Sequence, residues 1–134
     1  MKMITNKPIP EKYEDCLHVR VNEEDILFAV VGDLNLKGRY ADSLMIFTKD
    51  KLLAFDECYK DDFCELSYSE IESAEVKRLY GNAVFRVTLK DGKKKTVLRF
   101  SYASAEVADA AAVFVNAVND GADYVYEAET VKSV

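Results

Sequence analysis

The residues best able to do metal or nucleophile chemistry are three cysteines and one histidine. Cys16 and His18 stand as a C-x-H pair, and Cys58 and Cys64 flank a turn. Three thiolates and an imidazole could make a tetrahedral zinc site, but this spacing fits none of the paired-knuckle patterns that gather such ligands. An odd cysteine count with no secretory signal reads as reduced thiols in a cytoplasm. Cys16 and His18 would share a face if their segment were a strand. A Cys–His nucleophile also needs an orienting partner and an oxyanion site, and nothing marks either. The expectation is a chain with no catalytic residue, no metal site and no cofactor.

The other candidates are basic. Lys37-Gly38-Arg39 lies in a predicted loop, where Gly38 permits positive φ. A phosphate grip needs several convergent donors. Only two bases stand here, with Ala41 and Ser43 next along the chain, and Asp33 and Asp42 oppose the field. Gly38 is therefore expected to shape the loop and Arg39 to pair with a nearby carboxylate. Lys90 and Lys93-Lys94-Lys95 crowd a hairpin tip. Such a tip attracts anionic lipid by ~1 kcal/mol per base near the surface. It also serves as a solvated turn that protects strand edges from aggregation. Lys37, Arg39, Lys90, Lys93, Lys94 and Lys95 are the candidate contacts for an anion, a lipid or a partner.

The chain has 134 residues, enough for one domain with its own core. Its 18 bases against 24 acids give a net charge of −6, which argues against nucleic acid as a partner. The charge is uneven. Residues 72–100 hold eight bases and three acids, a net of +5, and residues 101–134 hold one base and six acids, a net of −5. A bipolar molecule favours self-association or a charged partner. The longest apolar runs, Ile26–Val31 and Ala110–Val115, are far short of the ~20 residues that span a bilayer.

Hydrophobic rhythm places the elements. Met1–Pro10 lacks periodicity, so residues 1–19 are expected as an N-terminal arm. Ile26–Val31, bounded by Gly32-Asp33, reads as a strand buried on much of both sides. Ser43–Thr48 and Leu52–Asp56 form a hairpin around a tight turn, and Phe63–Ser67 is a short fourth strand. Tyr68–Ile71 breaks the alternation as a helical turn or corner. Glu72–Leu79 alternates, with Ala74 and Val76 opposite Glu75 and Lys77. Ala83, Phe85, Val87 and Leu89 form one apolar face opposite Val84, Arg86 and Thr88. Asp91-Gly92 turns the chain into Lys95–Phe100, with Val97 and Arg99 facing opposite to Leu98 and Phe100. Ser104 is placed to cap a helix whose Val107, Ala111, Phe114 and Val118 make one stripe, and Gly121 is placed to end it. Tyr124–Glu127 reads as a further strand or a linker. Tyr68, Tyr80 and Tyr102, each beside a turn, are expected to pack over the sheet rim, with a binding patch as the alternative. The fold class is mainly β: about seven antiparallel strands in a sandwich or partly open barrel, closed by one C-terminal capping helix. Its domain spans 20–121, with 122–134 as tail or linker.

At this point the chain resembles a pleckstrin-homology-like (PH-like) domain. The stretch Asp33–Phe55 is similar to a D-x-D-x-x-G-R-[FY]-x-x-x-W-[LV]-[LV]-[LV]-T-x-x-R-L-L-V pattern in N-terminal cytoplasmic domains of some bacterial ABC-transporter ATP-binding/permease proteins. Gly38-Arg39-Tyr40, Thr48 and Leu52-Leu53 agree, and Leu44 stands at the usual Trp. Tyr68–Ala74 resembles the [YL]-x-[ED]-I-x-x-[AV] corner of that family. The resemblance implies a non-catalytic interaction or regulatory module working through a protein partner or self-association. It places the module in the cytoplasm, at the inner face of the membrane when part of a larger protein. No G-x-x-x-x-G-K-[ST] loop occurs, so ATP binding and transport would belong to segments outside this chain. In lipid-binding PH domains the loop that matches Lys37–Arg39 grips phosphorylated inositol, and a weak contact with an anionic membrane is the alternative role.

Overall fold

The computed structural model describes residues 3–120. Strand β1 (Ile4–Thr5) precedes helix α1 (Glu11–Arg20). The chain then builds β2 (Phe28–Leu34), β3 (Tyr40–Phe47), β4 (Lys51–Phe55) and β5 (Phe63–Ser67). After a 3-10 corner at Tyr68–Glu70 come β6 (Ile71–Leu79), β7 (Asn82–Leu89), β8 (Lys94–Phe100) and helix α2 (Ala105–Asn119). β1 to β5 lie side by side in one sheet, and β6 to β8 form a second. All pairs are antiparallel except β1 with β2. Among the described residues the seven expected strands and closing helix are present, and the eighth strand is the two-residue β1.

The main core lies between the sheets. Phe28, Val30, Met45, Phe47, Leu52 and Ala54 of the first sheet face Ala74, Phe85, Val87, Leu98 and Phe100 of the second. α2 covers the opening beside β6. Val107, Ala111 and Phe114 are buried in that core, and the Phe114 ring sits 5.6 Å from Phe28 and 5.8 Å from Tyr68. The helix also protects the exposed edge of β6. The Asn116 side chain bonds both the N–H and the C=O of Ala74, at 2.8 and 2.9 Å, and Asn119 donates to the Ile71 carbonyl.

The opposite face of the first sheet is covered as well. Ala29, Val31, Leu44, Ile46, Leu53 and Phe55 pack under Tyr13 and Leu17 of α1 and under Val21 and Ile26. Within the expected N-terminal arm, the described residues 3–19 pair with the first sheet and pack on it. β1 pairs with Phe28 and Ala29, and Asn6 exchanges two hydrogen bonds with the backbone of Val31. α1 starts after Pro10, with Glu11 and Glu14 in its first turn and Arg20 in its last, which suits the macrodipole. Only Tyr13 and Leu17 of this helix are fully buried, so its apolar stripe is too thin to read as periodicity. Cys16 and His18 consequently sit on a helix and not on a strand.

Three local expectations are corrected. β2 runs through Gly32 and Asp33 to Leu34 with a register shift, because Gly32 lets β2 approach β8 closely. A Cβ there would press on the Ser43 hydroxyl and lie 3.3 Å from the Arg99 carbonyl. In β8 a register shift opposite Phe85 and Arg86 makes Val97 an extra residue, so Val97 and Leu98 are both buried and Arg99 shares a face with Thr96. Ser104 makes no side-chain cap; its hydroxyl donates to the Val31 carbonyl at 2.7 Å. Gly121, Tyr124–Glu127 and the tail 122–134 lie outside the described residues.

Candidate interaction surface

The second sheet is packed on one face only. Strand register sorts its outer face into three cross-strand rows: Lys77–Val84–Arg99, Glu75–Arg86–Thr96 and Ser73–Thr88–Lys94. Four cations stand in these rows with one carboxylate. Arg86 donates to Glu75 at 2.8 Å. That bond holds the Glu75 carboxyl below the usual range; slight burial opposes it, and attraction from Lys94 and Lys77 adds to it. Val84 is only 4% exposed although it points outward. The stems of its long neighbours Lys77 and Arg99 can cover it while their charges stay in water.

Each end of this face continues into a candidate loop. At one end Arg99 donates to the Leu36 carbonyl at 3.1 Å and to the Asn82 side chain at 2.7 Å. It thereby ties the loop carrying Lys37 and Arg39 to the β6–β7 hairpin. Gly38 has φ +83°, as a loop-shaping glycine should. Asn35 does the rest of the shaping: its buried amide oxygen accepts the N–H groups of Lys37 and Arg39. Arg39, expected to pair with a carboxylate, has no ion-pair partner among the described residues. The nearby Asp33 is engaged elsewhere. Asp33 accepts from the Ser101 N–H at 2.9 Å. Burial pushes the Asp33 carboxyl up, but hydrogen bonds with Ser101 and with its own backbone, together with attraction from Lys7, leave it below the usual range.

At the other end Lys90, Lys93 and Lys94 surround a turn in which Gly92 has φ +90°. The two loops are not brought together. Arg99 and Lys94 are five residues apart on β8, roughly 16 Å. Five of the six residues expected as contacts, all but Lys95, thus mark the two ends of one strip, with Lys77, Arg86 and Arg99 between them. Lys95 leaves the strip. It pairs with Val87 on the inner side of the sheet, and its ammonium lies 5.2 Å from the centre of the Tyr59 ring. The strip was missed because side-chain alternation assigns faces strand by strand, whereas only pairing register aligns the three strands.

The tyrosines divide. Tyr68 is buried, donates to the Thr48 carbonyl and has its phenol pushed up by burial. Tyr102 donates to the Leu79 carbonyl. Tyr40 and Tyr80 are fully in solvent beside Arg39 and Asn82. Two clefts, about 330 and 260 Å³, flank α1, and His18 lines both. Among the described residues no three of His, Cys, Asp and Glu gather as a metal site. No described helix is long and apolar enough to cross a membrane.

Two packed sheets, a corner capped by the last helix and a bonded loop after the first long strand agree with one further observation. The family model for the bacterial PH domain matches residues 21–117. The chain belongs to the bacterial PH domain family. No curated protein matches it. PH domains are generally non-catalytic and generally mediate protein or lipid interactions. The matched stretch of this PH domain begins just after α1, so the helix that covers its first sheet precedes the matched unit.

Proposed function

We propose that this PH domain is a non-catalytic interaction module at the cytoplasmic face of a bacterial membrane, belonging to an ABC transporter. Its working surface is the outer face of β6–β8. The observation that carries this reading is the row geometry: four cations share one solvated sheet face with a single carboxylate. A rigid sheet backed by the main core holds those charges at fixed spacing, which favours a partner of opposite charge. The transporter assignment rests on the resemblance of Asp33–Phe55. ATP hydrolysis and transport would reside in other segments of the parent.

Two measurements test it. The genomic reading frame should continue into apolar spans and a nucleotide-binding domain, and a stop codon after Val134 removes the parent. In membranes holding that parent, Lys77→Glu with Lys94→Glu should lower transport at unchanged protein level. Unaltered transport would remove the working surface. A second reading has the cluster Lys90, Lys93 and Lys94 in its favour: these extend the strip as a basic tip suited to anionic lipid. Co-sedimentation with vesicles of phosphatidylglycerol but not phosphatidylcholine, lost on Lys93→Ala with Lys94→Ala, would support it.

A further inference from the structure

The order of layers places opposite charges on opposite sides of the molecule. α1 and the 3-10 turn Glu23–Asp25 form the outermost layer over the first sheet, and the outer face of β6–β8 is the far side. Residues 11–25 carry six exposed acids, Glu11, Glu14, Asp15, Glu23, Glu24 and Asp25, against two bases. Both bases are engaged locally: Lys12 is 3.9 Å from Glu57, and Arg20 lies 4.0 Å from the centre of the Phe63 ring and donates to the Cys16 carbonyl. None of the six carboxylates has an ion-pair partner among the described residues. On the far side Lys77, Lys94 and Arg99, with Lys90 and Lys93 beyond them, also have no ionic partner among the described residues.

We propose that the basic outer face of β6–β8 docks the acidic α1 layer of a second copy of this chain. This rests on the reading of that face as the working surface and names its partner. The two patches lie on opposite sides, so a single two-fold interface cannot contain both. The contact is head-to-tail, and it propagates into rings or chains instead of stopping at a dimer. Its charges are exposed, so its strength follows ionic strength.

The test is sedimentation velocity on the full chain over a concentration series. It is run at about 0.01 M salt, where screening acts over about 30 Å, and at about 1 M, where it acts over about 3 Å. At low salt the average mass should rise past two copies with concentration, and at high salt it should return to the monomer. Lys77→Glu with Lys94→Glu should abolish the rise. So should Glu11→Lys with Glu14→Lys and Asp15→Lys. Mixing the two reversed proteins should restore it, because each then offers the charge that the other lacks, and this recovery excludes misfolding as the cause of loss. A monomer at every concentration in low salt overturns the proposal, as does association that survives high salt or either reversal. Vesicle binding by a protein that stays monomeric assigns the face to lipid and overturns it too. Transport lost on Lys77→Glu with Lys94→Glu while the chain is monomeric would leave the proposed function standing and remove only this inference. Self-association with unaltered transport would do the reverse.

Discussion

The two sheets are built on different rules. The first is covered on both faces, by the second sheet on one side and α1 on the other, so Leu44–Phe47 and Leu52–Phe55 are uninterrupted apolar runs with every residue buried. The second is covered on one face only, so Glu75–Arg86–Thr96 alternates with Ala74–Val87 and Val76–Phe85. An unbroken run in an antiparallel strand therefore announces two covering layers, and strict alternation announces one layer and water. The solvated sheet is free to carry function because no further layer packs on its outer side chains.

The sharpest way to break this contrast is to truncate matched positions on the two outer faces. Phe55→Ala, under Tyr13 of α1, should cost ~3–5 kcal/mol in urea unfolding, as for any large buried ring. A loss below ~1 kcal/mol would mean that α1 is not a structural layer. Next in size, Gly32→Ala should cost ~1–3 kcal/mol, since the added methyl must displace the Ser43 hydroxyl or part β2 from β8. Asn116→Ala strands the N–H and C=O of Ala74 and should cost ~1–3 kcal/mol, with faster amide exchange along β6 than along β7. Unchanged exchange would show that the edge needs no cover.

The smallest effect belongs to the solvated face. Arg86→Ala should cost at most ~1 kcal/mol, because Glu75 is largely exposed. The Glu75 carboxyl is held below its ordinary value in the fold. Its pairing therefore contributes stability above that ordinary value and loses it as pH falls through the lowered one. Arg86→Ala should flatten that acid limb, and an unchanged limb would place the acid sensitivity elsewhere.

Much of the second sheet was legible in the residues. Ala83–Leu89 alternates without interruption, Asp91-Gly92 marks its turn, and the Val107–Phe114 stripe identifies the closing helix. α1 was not legible, because Tyr13 and Leu17 alone make no pattern until the apolar outer face of β2–β4 lies beneath them. The bulge at Val97 was hidden for a related reason. A residue inserted into a strand shifts every face after it, and apolar side chains on both sides of the insertion conceal the shift. Among the candidate contacts, Lys37, Lys93 and Lys94 could be named from sequence as basic, but not as ends of one strip, and Lys95 could not be told from its neighbours.

The amino-acid order alone determined which segments alternate, where the chain turns and that a helix follows the last hairpin, since these depend on side-chain period and local backbone preference. The tertiary structure alone decided that the first sheet has two covers, that Lys77, Arg86 and Arg99 align and that acid and base lie on opposite sides. Those facts depend on which strand pairs with which, and in what register. That choice is made by contacts between residues far apart in the chain, and no local window contains them.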